Sequence, residues 1–126
     1  MRILVTGAYG FLGKHVCSEL KKDTGSEEHD HIIELGGSSE SFSLNLAKEV
    51  DCIHVLKTYK PDTIIHLAAR VGGIGANQKY PGSFFYENMT MGLNLIEHSR
   101  KMGCQKFLLV STVCAYPKHT PVPFKE

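Results

Sequence analysis

The sequence predicts an α/β fold, a doubly wound parallel sheet with helices on both faces. Three short apolar runs are typical of buried strands, at residues 3–5, 63–69 and 106–111, and segments of helical periodicity separate them. Strands that alternate with helices in this way indicate parallel βαβ units. A chain of 126 residues is long enough for one domain with one core, and too short for a second, substrate-binding domain.

A glycine-rich turn follows the first strand and opens a helix. Gly7, Gly10 and Gly13 have the spacing GxxGxxG. The apolar residues that follow at helical spacing are Leu12, Val16 and Leu20. Glycine at these places permits a positive φ, close approach of a pyrophosphate and close packing of helix on strand. Because free N–H groups and the helix dipole favour an anion, the motif predicts dinucleotide binding, with a plain strand-to-helix turn as the alternative.

The second strand, predicted at residues 31–35, bears on the choice of dinucleotide. NAD-specific domains of this kind hold the ribose 2′-OH with an acid at the end of this strand, and Glu34 is the only acid near that place. A solvated acid at the edge of the sheet is the other interpretation of Glu34. Gly36 would leave room for a 2′-phosphate, but no Arg or Lys stands nearby to pair with it. These residues leave NAD(H) and NADP(H) both open.

Two more helices are predicted between the later strands. The first runs to about Tyr59 and has one apolar face, formed by Leu46, Val50, Ile53 and Leu56. The second spans residues 82–101 and has apolar or small residues at 4-3-4 spacing, Phe85, Met89, Gly92 and Ile96. The pattern of the second helix fits an ordinary core helix.

Two predicted strands end in loops at the carboxyl edge of the sheet, where open α/β sheets bind ligands. A glycine-rich loop at residues 70–75 follows one of them, and Thr112 and Cys114 follow the other. Free cysteine is commonly buried and inert, so Cys114 as a small apolar loop residue is an alternative. Pro121 and Pro123 indicate an extended tail or linker at residues 119–126, which leaves residues 1–118 as the domain.

Charge and cysteine content exclude several classes of function. Lys and Arg number 14 against 13 Asp and Glu, and no basic patch indicates nucleic acid or a membrane surface as a partner. The cysteines are scattered without a CxxC pair, so we expect no disulfide framework and no metal site. No apolar run approaches the ~18 residues of a membrane helix. We therefore expect a soluble, cytoplasmic protein with reduced thiols.

Three features together resemble the extended branch of the short-chain dehydrogenase/reductase superfamily, the NAD-dependent epimerase/dehydratase family. They are the glycine turn, the HLAA segment at residues 66–69, and a Ser/Thr-rich strand end before Tyr116. Residues 69–74 and 114–118 are similar to the GDP-L-fucose synthases, which epimerise and reduce GDP-4-keto-6-deoxymannose. The resemblance implies a Rossmann-like domain, a GDP-sugar substrate and a homodimer through the helix at residues 82–101. It favours NADP(H) as the cofactor, with NAD(H) as the other candidate.

The resemblance also implies roles for individual residues. Thr112 matches the family's Ser/Thr that hydrogen-bonds the substrate carbonyl, and Cys114 matches its epimerisation acid/base, a role for which a thiol is competent. Asn88 matches the Asn of a helix motif beside the cofactor. The other implied cofactor-binding residues are Gly7, Tyr9, Gly10, Phe11, Leu12, Gly13, Asn45, Leu46, Leu67, Ala68 and Ala69.

One family feature is missing, the catalytic Tyr and Lys at positions i and i+4. The residues four after each tyrosine are Gly13, Thr63, Phe84, Thr90 and Thr120. We therefore expect the N-terminal, cofactor-binding part of a longer enzyme, truncated before the catalytic helix and the substrate domain and inactive by itself. The alternatives are a stand-alone dinucleotide-binding module without turnover, and an epimerase or dehydratase for another nucleotide sugar.

Overall fold

The structure, a computed structural model, describes residues 1–23, 31–36, 44–112, 115–117 and 119–124. Within these ranges the chain forms strands and helices in alternation. In chain order they are β1 (Arg2–Thr6), α1 (Phe11–Asp23), β2 (His31–Leu35), α2 (Glu49–Tyr59), β3 (Thr63–His66), α3 (Ile74–Lys79), α4 (Pro81–Lys101) and β4 (Lys106–Leu109). None of the described helices is both long and apolar enough to cross a membrane.

The described strands form one parallel sheet in the order β2-β1-β3-β4. Leu4 of β1 lies opposite Ile33 of β2 on one side and opposite Ile64 of β3 on the other. Neighbouring parallel strands require a crossover connection, which α1 supplies between β1 and β2. The predicted α/β fold with a parallel Rossmann-like sheet is confirmed, and so is the central place of β3.

Helices pack on both faces of the sheet because successive side chains of a strand point to opposite sides. Val5 of β1 packs with Cys17 of α1 on one face. Leu4 packs on the other face with Val55 of α2 and Leu95 of α4. Each fully buried aliphatic side chain of this kind contributes ~1.5–3 kcal/mol. The sheet therefore has a core cluster on each of its two faces.

Helix α2 turns a different face to the core than the sequence predicted. Val50, assigned to the apolar face, is 76% exposed. The buried residues of the helix are Cys52, Val55 and Leu56, at i, i+3 and i+4. Leu46 and Leu56 are buried as predicted, and the prediction was wrong for Val50, because Cys52 was not counted among the apolar residues although free cysteine behaves as a small hydrophobe.

Helix α4 carries two apolar stripes, and the predicted one faces outward. Phe84 and Leu95 are buried, Leu95 in the core cluster with Leu4 and Ile64, and Phe84 beside Gly72 in the loop after β3. The other stripe, which we name the outer stripe of α4, consists of Phe85, Met89, Leu93 and Ile96, and its members are 45–70% exposed. A shift of one residue rotates a side chain by ~100° around the helix, and periodicity alone does not tell the two stripes apart. The interpretation of the outer stripe as core is therefore wrong.

The later strands are shorter than predicted, and β4 is not buried. β3 ends at His66 and β4 at Leu109. Leu108 and Leu109 are about half exposed, because β4 is an edge strand in the described sheet and Phe107 is its residue that packs on the core. The short helix α3 was not predicted. It buries no residue, so its sequence lacks the apolar periodicity that would reveal a helix.

Candidate functional site

The glycine turn lies at the carboxyl end of β1, between the ends of β2 and β3. The N–H of Ala8 donates to the carbonyl of Leu35 at 3.1 Å, and the N–H of Leu67 donates to that of Thr6 at 3.1 Å. These bonds tie the turn to both neighbouring strands. The strand order reverses at this point, which is where open α/β sheets form a ligand crevice.

Glycine is required at two positions of the turn by the surrounding backbone. Gly7 has a φ of +70°, and a Cβ there would lie 2.8 Å from the backbone nitrogen of Ala68. A Cβ on Gly13 would lie 2.1 Å from the carbonyl oxygen of Gly7. Gly10 differs, since its Cβ would meet Gly7 O at 3.2 Å and it borders open space on its other side. The turn therefore packs directly on the segment after β3, and α1 begins in direct contact with the turn.

The first turn of α1 presents free backbone N–H groups. Lys14 makes the first hydrogen bond back along the helix, to Gly10 O at 3.1 Å. The preceding N–H groups of Phe11, Leu12 and Gly13 have no acceptor one turn back, as at any helix start. No acidic side chain occupies this first turn. The helix dipole and these donors together favour an anion here.

A cavity of about 580 Å³ opens in front of the turn. This volume is in the range of small-molecule sites. All the predicted cofactor-binding residues except Asn88 line it, namely Gly7, Tyr9, Gly10, Phe11, Leu12, Gly13, Asn45, Leu46, Leu67, Ala68 and Ala69. The structure brings these residues together from three separate segments, and their contact with a cofactor stays a prediction.

The cavity has little side-chain charge of its own. Arg70 and Glu87 are the charged residues that line it in the described part of the chain, and they form an ion pair with each other. The Arg70 guanidinium also lies 4.8 Å from the centroid of the Phe84 ring. Among the described residues, backbone N–H groups are therefore the main donors that the cavity offers to an anion. This pair joins residues far apart in the chain, and no sequence motif signalled it.

Asn88 supports the cavity wall and does not line the cavity. Its Oδ1 accepts from the backbone N–H of Arg70 at 2.7 Å, and its Nδ2 donates to the carbonyl of Arg70 at 3.0 Å. The side-chain amide of Asn88 thus binds both backbone polar groups of Arg70, in the loop after β3. The resemblance implies a place for Asn88 beside the cofactor; in the structure Asn88 binds the backbone of the cavity-lining Arg70, and its contact with a cofactor stays a prediction.

The loop before α2 is fixed at the cavity by its own polar groups. Asn45 Oδ1 accepts from the N–H of Ala47 at 3.0 Å, and the N–H of Asn45 donates to Asp51 Oδ2 at 2.9 Å. Asn94 of α4 donates to the carbonyl of Leu46 at 3.3 Å. The loop is therefore held from α2 and α4 at once.

Glu34 does not reach the cavity. Its carboxylate pairs with Lys21 of α1 at 2.5 Å, and its side chain is 23% exposed. The ion pair raises the pKa of Lys21 through a hydrogen bond and the negative charge of Glu34. The structure therefore does not support Glu34 as a ribose acid, and shows instead a partly exposed acid on the edge strand β2 that is paired with Lys21. Gly36, two residues later, lines the cavity instead.

A buried polar pair, not foreseen from the sequence, joins β1 to β3 beneath the turn. Thr6 Oγ1 accepts from the N–H of Ala68 at 3.2 Å and lies 2.7 Å from His66 Nδ1. The Thr6 hydroxyl donates to His66 Nδ1 in the tautomer that leaves this nitrogen unprotonated, and accepts from it in the other tautomer. Burial lowers the pKa of His66, consistent with a neutral ring.

The buried His66 makes stability depend on pH. Its folded pKa lies below the unfolded value of 6.5, so the unfolded chain binds more protons in acid. The free energy of unfolding should be highest above pH 6.5 and fall as the pH drops through 6.5 toward the folded pKa, by up to ~1.4 kcal/mol per pH unit. Urea unfolding between about pH 5 and 7.5 measures this dependence.

In a His66→Gln variant this part of the pH dependence should disappear. The exposed His54 offers the matched control, because His54→Gln removes a histidine without touching the buried pair. Identical pH profiles for the wild-type protein and His66→Gln would contradict the assignment.

The predicted catalytic residues follow β4. Thr112 is exposed, its carbonyl accepts from the N–H of Ala115 at 3.0 Å, and it does not line the cavity. Cys114 lies outside the described residues. β4 is two strands from β1, a distance of about 10 Å, so Thr112 belongs to a different part of the carboxyl edge than the glycine turn.

Comparison with known proteins decides the family. Residues 3–126 match the sequence model of the NAD dependent epimerase/dehydratase family. The chain belongs to this family. The resemblance seen in the glycine turn and the HLAA segment is thereby confirmed.

Named members of the epimerase/dehydratase family are similar over nearly the whole chain. GDP-L-colitose synthase of Yersinia pseudotuberculosis is 37% identical over 94% of this chain and 35% of that protein. GDP-L-fucose synthase of Sinorhizobium fredii is 34% identical over 99% of this chain and 37% of that protein. A crystal structure of GDP-L-fucose synthetase from Naegleria fowleri bound to NADP has a TM-score of 0.78 and 28% identity, over 98% of this chain and 34% of that one. The chain spans about a third of the length of these relatives.

Proposed function

We propose that the chain is the NADP(H)-binding part of a nucleotide-sugar epimerase/reductase that resembles GDP-L-fucose synthase. The observation that carries the proposal is the glycine turn, which opens a helix onto a cavity of about 580 Å³ at the carboxyl edge of a parallel sheet. The cofactor is proposed because the similar Naegleria fowleri structure is bound to NADP. The GDP-sugar is proposed because the relatives carry it in their names.

The residues of the cavity fit a dinucleotide. The absence of a Cβ at Gly7 and Gly13 lets the turn pack directly on neighbouring backbone, and Gly10 lines the cavity without a side chain that would keep a phosphate away. The N–H groups of the first turn of α1 would hold the pyrophosphate. The cofactor, when bound as NADPH, would supply the hydride for reduction of the sugar. The apolar lining, with Leu67 and Ala68 among its members, would exclude water from that end.

The proposed chemistry on the sugar uses the residues after β4. Thr112 would donate its hydroxyl proton in a hydrogen bond to the sugar carbonyl, which stabilises the negative oxygen of the enolate. Cys114 would take the proton from the neighbouring carbon on one face, or return one on the other face, so that the carbon inverts. Both roles come from the family resemblance.

Replacing Gly10 with valine tests the proposed cofactor site. The added side chain should occupy the phosphate path and weaken NADPH binding by more than about tenfold, or 1.4 kcal/mol, while the fold survives. Calorimetric titration measures the affinity, and circular dichroism checks the fold. Gly73→Val is the matched control, because a Cβ there meets nothing within 4 Å and Gly73 does not line the cavity. Unchanged NADPH affinity in folded Gly10→Val would refute the site.

Two other functions are kept as alternatives. A stand-alone dinucleotide-binding module is favoured by the missing YxxxK sequence. A reading frame that continues past Glu126 into such a sequence would exclude it. The second alternative is an epimerase or dehydratase for another nucleotide sugar. Comparing GDP-sugars with UDP-sugars as ligands of the complete enzyme distinguishes it from the proposed function.

A homodimer is part of the proposal. The outer stripe of α4 presents Phe85, Met89, Leu93 and Ile96 to solvent, and a second copy of the same helix would cover it. Sedimentation that shows a monomer at all concentrations would contradict the dimer. A cytoplasmic location remains a prediction from the sequence.

A further inference from the structure

We propose that the ring of Tyr9 is the surface on which the adenine of the dinucleotide stacks, and that Gly36 is the position that lets this ring lie flat at the strand end. The inference rests on the proposed function and names a specificity-determining contact within it. It concerns the end of the cavity that lies beside β2.

The contact between Tyr9 and Gly36 is close and specific. A Cβ built on Gly36 would lie 2.2 Å from Tyr9 Cδ2 and 3.0 Å from Cε2, so the ring covers the backbone of Gly36. Tyr9 is nevertheless 54% exposed, and both residues line the cavity. One side of the ring therefore rests on the end of β2 while the rest is open to a ligand.

The same end of the cavity has no charged side chain in the described part of the chain. Glu34 is held by Lys21 and does not line the cavity. The charged pair of Arg70 and Glu87 belongs to the loop after β3 and to α4, on the opposite side of β1 from β2. The lining residues near β2 are Tyr9, Leu35, Gly36, Leu44, Asn45 and Leu46.

Two consequences follow for the ligand. The described side chains at this end, apart from Asn45, offer adenosine apolar and aromatic contact, and stacking on an aromatic ring is suited to it because every base has a π-face. In addition, none of these lining side chains is a carboxylate that could repel a 2′-phosphate or bind the ribose 2′-OH. Tyr9 would therefore carry the affinity for the adenosine end of both NADPH and NADH.

Removing the ring tests the stacking. In Tyr9→Ser, the affinity for 2′,5′-ADP should fall by about 5- to 150-fold, the range found for loss of one base–aromatic stack. Tyr9→Phe, which keeps the ring, should retain most of the affinity. Reduced nicotinamide mononucleotide lacks adenine, so its affinity should not respond to Tyr9→Ser. Calorimetry on the intact 126-residue chain supplies each dissociation constant.

A double-mutant cycle tests the role of Gly36. Gly36→Ala should push the ring aside and weaken 2′,5′-ADP binding in the native background, yet have little effect once Tyr9→Ser has removed the ring. Gly73→Ala is the matched control, since a Cβ there meets nothing within 4 Å. Non-additive effects support the contact.

The failures are distinguishable. If the native protein binds NADPH but Tyr9→Ser binds 2′,5′-ADP as tightly as the native protein, the stacking is wrong and the proposed function stands. If Gly36→Ala acts equally in both backgrounds, the contact with Tyr9 is not what fixes the ring, and that part of the inference fails. If the native chain binds neither NADPH nor NADH, the proposed function fails and this inference fails with it.

Discussion

Replacing Gly13 with alanine should destabilise the protein by about 3 kcal/mol or more, although the same change usually stabilises a helix by up to ~1 kcal/mol. The added methyl group would lie 2.1 Å from the carbonyl oxygen of Gly7 and 2.6 Å from that of Ala8. Both obstacles are backbone atoms of a turn tied to β2 and β3, so they cannot rotate away as a side chain could. Helix α1 would have to leave the sheet, and the packing of Cys17 on Val5 would weaken.

Equilibrium urea unfolding measures this effect, with Gly82→Ala as the control. Gly82 lies in the first turn of α4, where a Cβ meets nothing within 4 Å. The control should change the free energy of unfolding by no more than ~1 kcal/mol. Equal stabilities for Gly13→Ala and the native protein would show that α1 does not need the close contact with the turn.

The 126-residue chain should show no reductase turnover with GDP-4-keto-6-deoxymannose and NADPH. Reduction of the carbonyl requires a positioned proton donor. In the enzymes that this chain resembles, the donor is a Tyr whose pKa is lowered by a Lys one helical turn away. None of the five tyrosines of this chain has a lysine four residues later. General acid catalysis is worth ~10²–10⁴ in rate, so its loss should bring turnover below detection. A longer chain that supplies the Tyr-Lys pair and a substrate domain should turn over.

Loss of NADPH absorbance measures the reduction, and proton exchange at the sugar carbons measures the epimerisation. In the longer chain, Cys114→Ser should slow epimerisation more than it weakens NADPH binding. Rapid oxidation of NADPH by the purified 126-residue chain would mean that another residue supplies the proton. The roles given to Thr112 and Cys114 by resemblance would then be wrong.

Local signals in the sequence predicted the parts of the fold and the site that depend on neighbouring residues. The turn at Gly7, Gly10 and Gly13 follows from backbone requirements within a few residues, and the structure gives Gly7 its positive φ and Gly13 its close contact. The strand β2 and the end of α2 at Tyr59 were also predicted, because each is bounded by polar or proline-containing segments.

The features that the sequence did not predict depend on residues distant in the chain. The choice between the two stripes of α4 is made by the core against which Leu95 packs and by the loop after β3 that Phe84 contacts, and periodicity does not show it. Arg70 joins Glu87 and Asn88 because the loop after β3 crosses the start of α4. The pair of Thr6 and His66 exists because β1 and β3 are neighbours in register. Such contacts are consequences of topology.

The central place of β1 has a consequence for the order in which the chain folds during synthesis. β1 is made first, yet Ile3 pairs with Thr63, and the Arg2–Asp62 contact spans 60 residues. At a translation rate of ~5–20 residues per second, roughly 3–12 s pass between the synthesis of β1 and the synthesis of its partner β3. The turn at Gly7 packs on Ala68, so the nucleotide site is assembled only after β3 has left the ribosome. The complete nucleotide site, with the segment after β3 in its lining, is therefore available to stabilise the chain only once β3 has paired with β1.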